Sequence, residues 1–339
     1  MKRPVLQALL VSLALSGAGM AFALWQVGGP RALLGLKDLA PLSLAAAALA
    51  LLTSFLIAAA RLVFVCRTLG FRVRLSHAFR AHVLGMFTAA VTPGGSGSIA
   101  GLALTLDVQG MQRAKSWAAA LATMAADTAF HAWAMPASLV VLYGLGVYPR
   151  TPGWALLGTV VILLTVALAY VLLFKVVWLR PLFGFVLRGP LLRFRRRGMR
   201  FVDGFIESSQ TFAAAPLWKH AVVQGLTACA WAAFFLVLYF LLRGLGVSIG
   251  ALLALAGQTV VAVMSTFVPT PGGSGFFEVV LSWFLVGNGS GQAGPAAVFA
   301  WRIITFYSLF ILGPLLGGYL VVKQVGRAAA EAPAGAERG

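Results

Sequence analysis

Six stretches of this chain, at roughly 5–27, 42–64, 116–147, 153–177, 219–242 and 295–322, stay apolar for the length that crosses a bilayer, about 20 residues. In lipid such a segment satisfies its backbone only as a helix. Two more apolar stretches, 78–112 and 250–287, are each broken near the middle by the same hexapeptide. Of the 339 residues 60% are apolar and 10% charged, whereas soluble domains carry about 25% charged residues. Too few ionic side chains remain to cover a water-facing surface, and too many aliphatic ones for disorder. A water-soluble enzyme is excluded. Cys66 and Cys229 lie within or at the ends of apolar runs and offer no disulfide framework. Lys2-Arg3 and Ala21-Phe22-Ala23 imitate a secretory signal, but the apolar stretch exceeds the ~7–15 residues of a signal core, so it reads as a retained helix.

The net charge of +18 is a matter of placement. With the N-terminus inside and the interrupted stretches entering and leaving on one face, 21 of the 26 Lys and Arg residues fall in cytoplasmic segments. Arg31, Lys37, Arg150 and Arg243 fall outside, and Arg302 lies within a span. That bias orients the chain with both termini in the cytoplasm of a cell membrane and removes the case for nucleic acid. The polar connection 178–218 carries Arg193, Arg195, Arg196, Arg197 and Arg200, followed by Phe201, Val202, Phe205, Ile206 and Phe212 at helical spacing. It fits a helix lying in the cytoplasmic interface, with anionic lipids as partners of the 193–200 cluster, and equally one packed under the protein itself. Residues 324–339 read as a flexible tail, and 1–323 as one transmembrane domain.

Thr92-Pro93-Gly94-Gly95-Ser96-Gly97 recurs as Thr270-Pro271-Gly272-Gly273-Ser274-Gly275. Upstream, Arg67-Thr68-Leu69-Gly70 has a counterpart in Arg243-Gly244-Leu245-Gly246 at nearly the same distance. After each hexapeptide only ~15–17 Å of helix remains at 1.5 Å per residue, too little for a core ~30 Å thick. Each interrupted stretch therefore reads as a re-entrant helical hairpin with the hexapeptide at its tip. The expected architecture is all-α: about six full spans plus two hairpins, with repeat 1 over 42–147 and repeat 2 over 219–322. The first hairpin rises from inside and the second descends from outside. Such an inverted-topology repeat is typical of transporters with a midplane site.

At each tip proline ends one arm, glycines permit close approach, and the second arm presents unpaired N–H groups and a positive dipole end. Thr92, Pro93, Gly94, Gly95, Ser96, Thr270, Pro271, Gly272, Gly273 and Ser274 are thus candidate binding residues for an anionic group. Ionisable residues inside spans are costly and mark function. Asp127 and His131 lie one helical turn apart, Glu278 follows the second tip, and Arg302 occupies a place in the last span similar to that of Asp127 in the first repeat. Two readings stand: an acid facing Arg as mutual neutralisation, or Arg302 binding a lipid phosphate while Asp127, His131 or Glu278 carries a proton. No Walker sequence, metal-ligand spacing or nucleophile elbow is present, so no cofactor, metal or catalytic residue is expected. Gly95-x-Gly97-x-x-Ala100 matches a dinucleotide fingerprint without its βαβ surroundings.

The Arg-x-Leu-Gly loop, the Pro-Gly-Gly tip, and a second Pro-Gly-Gly-x-Gly-x-x-Glu followed by an Arg-x-x-Thr span resemble the lysylphosphatidylglycerol synthase transmembrane region family, the flippase-like or UPF0104 group. Matching stretches are Arg61 to Gly97, Pro269 to Glu278 and Ala300 to Phe306, and the resemblance covers most of 5–323. It implies movement of a polar or anionic phospholipid between leaflets, with Pro93, Gly94, Pro271, Gly272, Glu278 and Arg302 carried over. An isoprenoid-linked lipid carrier, or a non-transporting membrane partner of a lipid-modifying enzyme, are the alternatives, and a homo-oligomer is a further partner class. The soluble aminoacyl-transfer domain of bifunctional members does not follow the last span, so lipid synthesis is not expected of this chain. Where members carry an acidic residue and an Arg after the first tip, this chain has Ile99 and Leu102, which speaks against an acid–base role at that tip.

Overall fold

The computed structural model describes residues 29–147 and 195–317, apart from Pro93 and Pro269, together with isolated positions within 14–25 and 158–181. Beyond those positions the helices expected at 5–27 and 153–177, residues 182–194 of the connection and the 324–339 tail lie outside the described residues, as does Pro93. Among the described residues the structure is helical, without strands. A 3-10 helix, Gly29–Asp38, leads into α1 (Pro41–Thr68), α2 (Leu75–Ala90), α3 (Gly97–Val108) and α4 (Arg113–Gly144). Then come α5 (Arg195–Ala213), α6 (Leu217–Gly244), α7 (Ala251–Thr266), α8 (Phe276–Leu285) and α9 (Ala293–Arg302). α9 continues through a π-helical turn, Ile303–Tyr307, as far as Gly317. By length and composition α1, α6 and Ala293–Gly317 can each cross a membrane. α4 is longer, at 32 residues, but Asp127, His131 and two threonines interrupt its middle and lower its mean hydropathy, and it falls outside that set.

The centre of the molecule is the pair α1 and α6. Ala40 N–H donates to Gly244 C=O (3.2 Å), Ser54 Oγ to Ala230 C=O (2.8 Å), and Phe64 meets Trp218. Residue numbers rise along one helix as they fall along the other, so the pair is antiparallel. Small residues make the seam: Ala47, Ala50, Ser54 and Ala58 of α1 are buried. Backbones without bulky side chains between them approach closely, the usual source of attraction between helices that share an apolar solvent.

Both helices of the pair end alike, which explains the upstream half of the repeat. Phe71 N–H bonds to Cys66 C=O and Val247 N–H to Leu242 C=O, each at 2.9 Å, with Gly70 and Gly246 at φ +74° and +75° between them. These are glycine C-caps that satisfy orphan carbonyls, with Arg67 and Arg243 in the last turns against the negative dipole end.

Each cap turns the chain back into a helical hairpin. Gly85 and Gly101 bring α2 and α3 together along their length: a Cβ on Gly101 would stand 2.8 Å from the Leu84 carbonyl oxygen and collide with Thr88 Oγ1. In the second hairpin Gly257 lies under the Phe284 ring. Because α1 and α6 are antiparallel, the hairpins start from opposite ends of the bundle and their tips meet. Gly94 N–H faces Thr270 C=O at 3.4 Å, and a Cβ on Gly272 would stand 3.4 Å from Ala90 Cα. Contacts between the halves run crosswise: α4 packs on α7, with Met135 against Val263. The far part of α9 packs on α2, with Phe310 against Phe87.

α5 packs along one face on the rest of the chain. Its face formed by Val202, Ile206, Ser208 and Phe212 is buried, and Phe201 packs on Trp117 of α4. The helix is docked on the protein, with Arg196 and Arg200 on its exposed side.

Candidate functional site

The two tips are built to one plan. Gly95 N–H donates to Thr92 C=O and Gly273 N–H to Thr270 C=O, both at 3.2 Å. Gly94 and Gly272 both have φ +59°. That is the bonding of a type II turn with Pro at its second position and Gly at its third, the only residue that takes this backbone without strain. Beneath each turn the helix N-terminus is occupied from within. Thr92 Oγ1 accepts the Gly97 N–H at 2.8 Å, and Glu278 Oε2 accepts the Gly275 N–H at 2.9 Å. The glycine-rich turns are thus shape elements, and the donors expected to receive a ligand are partly used.

What the tips shape is a cavity of about 370 Å³. Gly94, Gly95, Gly272 and Gly273 line it, as do Asp127, His131 and Arg302, which belong to elements distant in sequence. Thr92, Ser96, Thr270, Pro271, Ser274 and Glu278 are not among the described lining residues. Glu278 is fully buried behind Arg302. Much of the remaining wall is aromatic: Trp231, Phe234, Phe277, Trp301 and Phe306.

One pole is an ion-pair network that charge counting along the sequence misplaces. Arg61 was expected in the first cytoplasmic segment; it lies inside α1, 2% exposed, because the apolar run continues through Leu62-Val63-Phe64-Val65-Cys66. One cation therefore leaves the cytoplasmic tally. Arg61 Nη1 donates to Asp127 Oδ1 (2.6 Å) and to Thr227 Oγ1 (2.9 Å), and Nη2 donates to Asp127 Oδ2 (3.2 Å). Trp231 Nε1 donates to Asp127 Oδ1 at 2.9 Å. Three helices, α1, α4 and α6, are tied at this carboxylate. His131 Nδ1 sits 2.8 Å from the Asp127 carbonyl oxygen, with its ring against Trp231 and Phe130.

At the other pole Arg302, 3% exposed, stands in a box of Phe277, Trp301 and Phe306, with its guanidinium carbon 4.6–5.3 Å from the ring centroids. Its Nε lies 2.9 Å from Glu278 Oε1. Aromatic faces and one carboxylate hold the cation in place where water could not. Arg302 Nη2 and Trp301 Nε1 are buried and without partners. Neither can accept a hydrogen bond. Each acid singled out in the sequence faces an arginine: Asp127 pairs with Arg61, and Glu278 with Arg302. No group of three or more His, Cys, Asp or Glu side chains is placed to hold a metal among the described residues.

Comparison with known proteins falls on the same segments. The family model described as lysylphosphatidylglycerol synthase TM region matches residues 9–313. A UPF0104 membrane protein of Archaeoglobus fulgidus is 23% identical over 280 residues, covering 80% of this chain and 84% of its own.

Proposed function

Because this multi-pass membrane protein belongs to the lysylphosphatidylglycerol synthase transmembrane region family, we propose that it is a carrier that passes the head of a polar, anionic phospholipid from one leaflet to the other. The observation that carries this is Arg302: a buried cation with a spare donor, lining a cavity that lies between two hairpin tips. A phosphate is an acceptor-only group and complements donors with no acceptor among them. The apolar and aromatic wall suits the glycerol backbone and the start of the acyl chains.

An inverted-topology repeat supports alternating access here. The antiparallel α1 and α6, the matching turns at Gly94 and Gly272, and the crosswise packing of α4 on α7 and α9 on α2 are what exchange of two related halves would require. In this reading the arginine-rich end of α1 faces the cytoplasm and the hairpins dip to the midplane from opposite sides. In this reading α4 serves as a fourth span, and the runs at 5–27 and 153–177 make six. Both termini are cytoplasmic. The sequence-matched tip residues act by shaping the cavity, Glu278 by holding Arg302, and Asp127 by holding Arg61.

Purified protein in vesicles carrying a fluorescent anionic phospholipid tests the reading, with outer-leaflet label quenched by dithionite. Protein should expose inner-leaflet label faster than empty vesicles do. Arg302→Gln should weaken lipid binding roughly ten- to hundredfold, the worth of a charge-assisted hydrogen bond. Equal rates with and without protein refute transport and favour the membrane-partner alternative.

A further inference from the structure

The fixed charges around the cavity cancel. Arg61 and Asp127 form one pair, and Arg302 and Glu278 the other. The other ionisable side chains among the described lining residues are the imidazoles of His82 and His131. With both rings neutral the chamber carries no net charge. A phosphate entering it adds one uncompensated negative charge among aromatic and aliphatic walls, where an unpaired ion is costly. Entry of the anion is therefore favoured by entry of one proton, and the geometry singles out the group that can take it. Glu278 would have to loosen its hold on Arg302 and the Gly275 N–H. Asp127 would have to loosen its hold on Arg61 and Trp231. His131 gives up nothing. A backbone carbonyl only accepts, so Nδ1, which faces the Asp127 carbonyl, carries the hydrogen of the neutral ring. Nε2 is then a bare lone pair, buried and without a partner, on a residue that lines the cavity.

We infer that His131 binds a proton whenever the cavity holds an anion, so that each lipid anion crosses together with one proton. On loading, the Nε2 lone pair takes a proton from water and forms an N–H bond, while Nδ1 keeps its bond to the Asp127 carbonyl. On release the proton returns to water with the lipid's departure. The imidazolium's positive charge offsets the phosphate's negative one, the loaded chamber is again neutral, and the crossing moves no net charge. The groups that set the field at this ring are Asp127 on its own helix and Arg61 of α1, with His82 of α2 and Arg302 of α9 on the same cavity. α6 turns Trp231 to the ring and keeps Lys219, His220 and Arg243 near its ends, and α7 has no ionisable residue. On α3 the acid is Asp107, tied to Arg113, and α5 docks near the start of α4, around Trp117. This inference rests on the carrier reading and adds a second cargo to it.

The test is binding of a fluorescent phosphatidylglycerol to purified protein in phosphatidylcholine nanodiscs. Its phosphodiester does not titrate between about pH 6 and 8, whereas a histidine does. Binding linked to one proton should weaken as the pH rises, by up to about tenfold per pH unit. His131→Gln keeps a donor for the Asp127 carbonyl and cannot be protonated. Its affinity should change by less than about twofold over that range, at a level the wild type approaches at the alkaline end. His82→Gln should keep the wild-type slope. In vesicles a pH gradient should drive the label toward the alkaline leaflet beyond what protein-free vesicles show, and a potassium–valinomycin potential at equal pH should not. Tight wild-type binding that ignores pH overturns the proton inference while the carrier reading stands, and so does movement driven by the potential alone. A slope that survives in His131→Gln, or is lost in His82→Gln, overturns the assignment to His131. Should His131→Gln fail to fold, calorimetry of wild-type lipid binding in two buffers of different ionisation heat decides: no proton uptake overturns the inference. Absence of lipid binding by the wild type at every pH overturns the carrier reading beneath it.

Discussion

Replacing Asp127 by alanine should be among the most damaging single changes in the molecule, and its cost can be bounded from the geometry. Arg61 is 2% exposed, and among the described residues its charge is answered by its two bonds to Asp127. Removing the acid leaves a guanidinium buried against Thr227 alone and frees the Trp231 N–H. Breaking a buried pair from one side costs about 3–5 kcal/mol. At roughly 2–4 °C per kcal/mol for a chain of this order of size, thermal unfolding should shift down by about 6–20 °C. The double variant Arg61→Met with Asp127→Ala removes both charges and should recover much of that loss, since an apolar pair in place of a buried ion pair is often neutral or better. The exposed pair Arg113–Asp107, with the Arg side chain 68% exposed, is the control: Arg113→Ala should cost about 0–1 kcal/mol. The assay is the fraction of detergent-solubilised protein that stays monodisperse after heating, followed by intrinsic fluorescence on size exclusion. A double variant no more stable than Asp127→Ala, or a single-variant shift as small as the control's, would show that the pair does not hold α1, α4 and α6 together.

Two further outcomes follow from the packing. Gly101→Val should destabilise by about 1–3 kcal/mol through overpacking, because the backbone of Leu84 cannot move aside; Gly225→Ala, which meets open space, should be harmless or slightly stabilising, and equal melting curves for the two would contradict the close hairpin. In a background lacking Cys66 and Cys229, the pair Ser54→Cys with Ala230→Cys should cross-link through a short thiol reagent, as the 2.8 Å Ser54–Ala230 contact requires, and absence of the cross-linked band on a denaturing gel would argue against an antiparallel α1 and α6.

The helices and their breaks were readable because length and polarity are local properties. Sustained apolar runs predicted α1, α6 and the last long helix within a few residues, and Thr-Pro-Gly-Gly predicted two turns that share hydrogen bonds and φ angles. The chemistry at the tips was less readable. Thr92 and Glu278 were marked as ligand-facing, yet Thr92 accepts an N–H at the start of the helix that follows it and Glu278, in the first turn of its own helix, accepts the Gly275 N–H; a capping oxygen and a ligand-binding oxygen look the same in a sequence. Arg61 was missed because it stands at the edge of a window of about 20 residues; the five apolar residues after it were the available signal. The aromatic box around Arg302 comes from α8, the end of α9 and the π-helical turn that follows it, a combination that no spacing rule anticipates.

The opposed arginines give the molecule a polarity that its chain trace lacks. Turned end for end, antiparallel helices with hairpins reaching in from either side present much the same outline. The side chains do not reverse with it: one guanidinium has both terminal nitrogens tied to a carboxylate and a hydroxyl, while the other keeps a terminal nitrogen free. That asymmetry is written in a handful of atoms rather than in the helices that carry them.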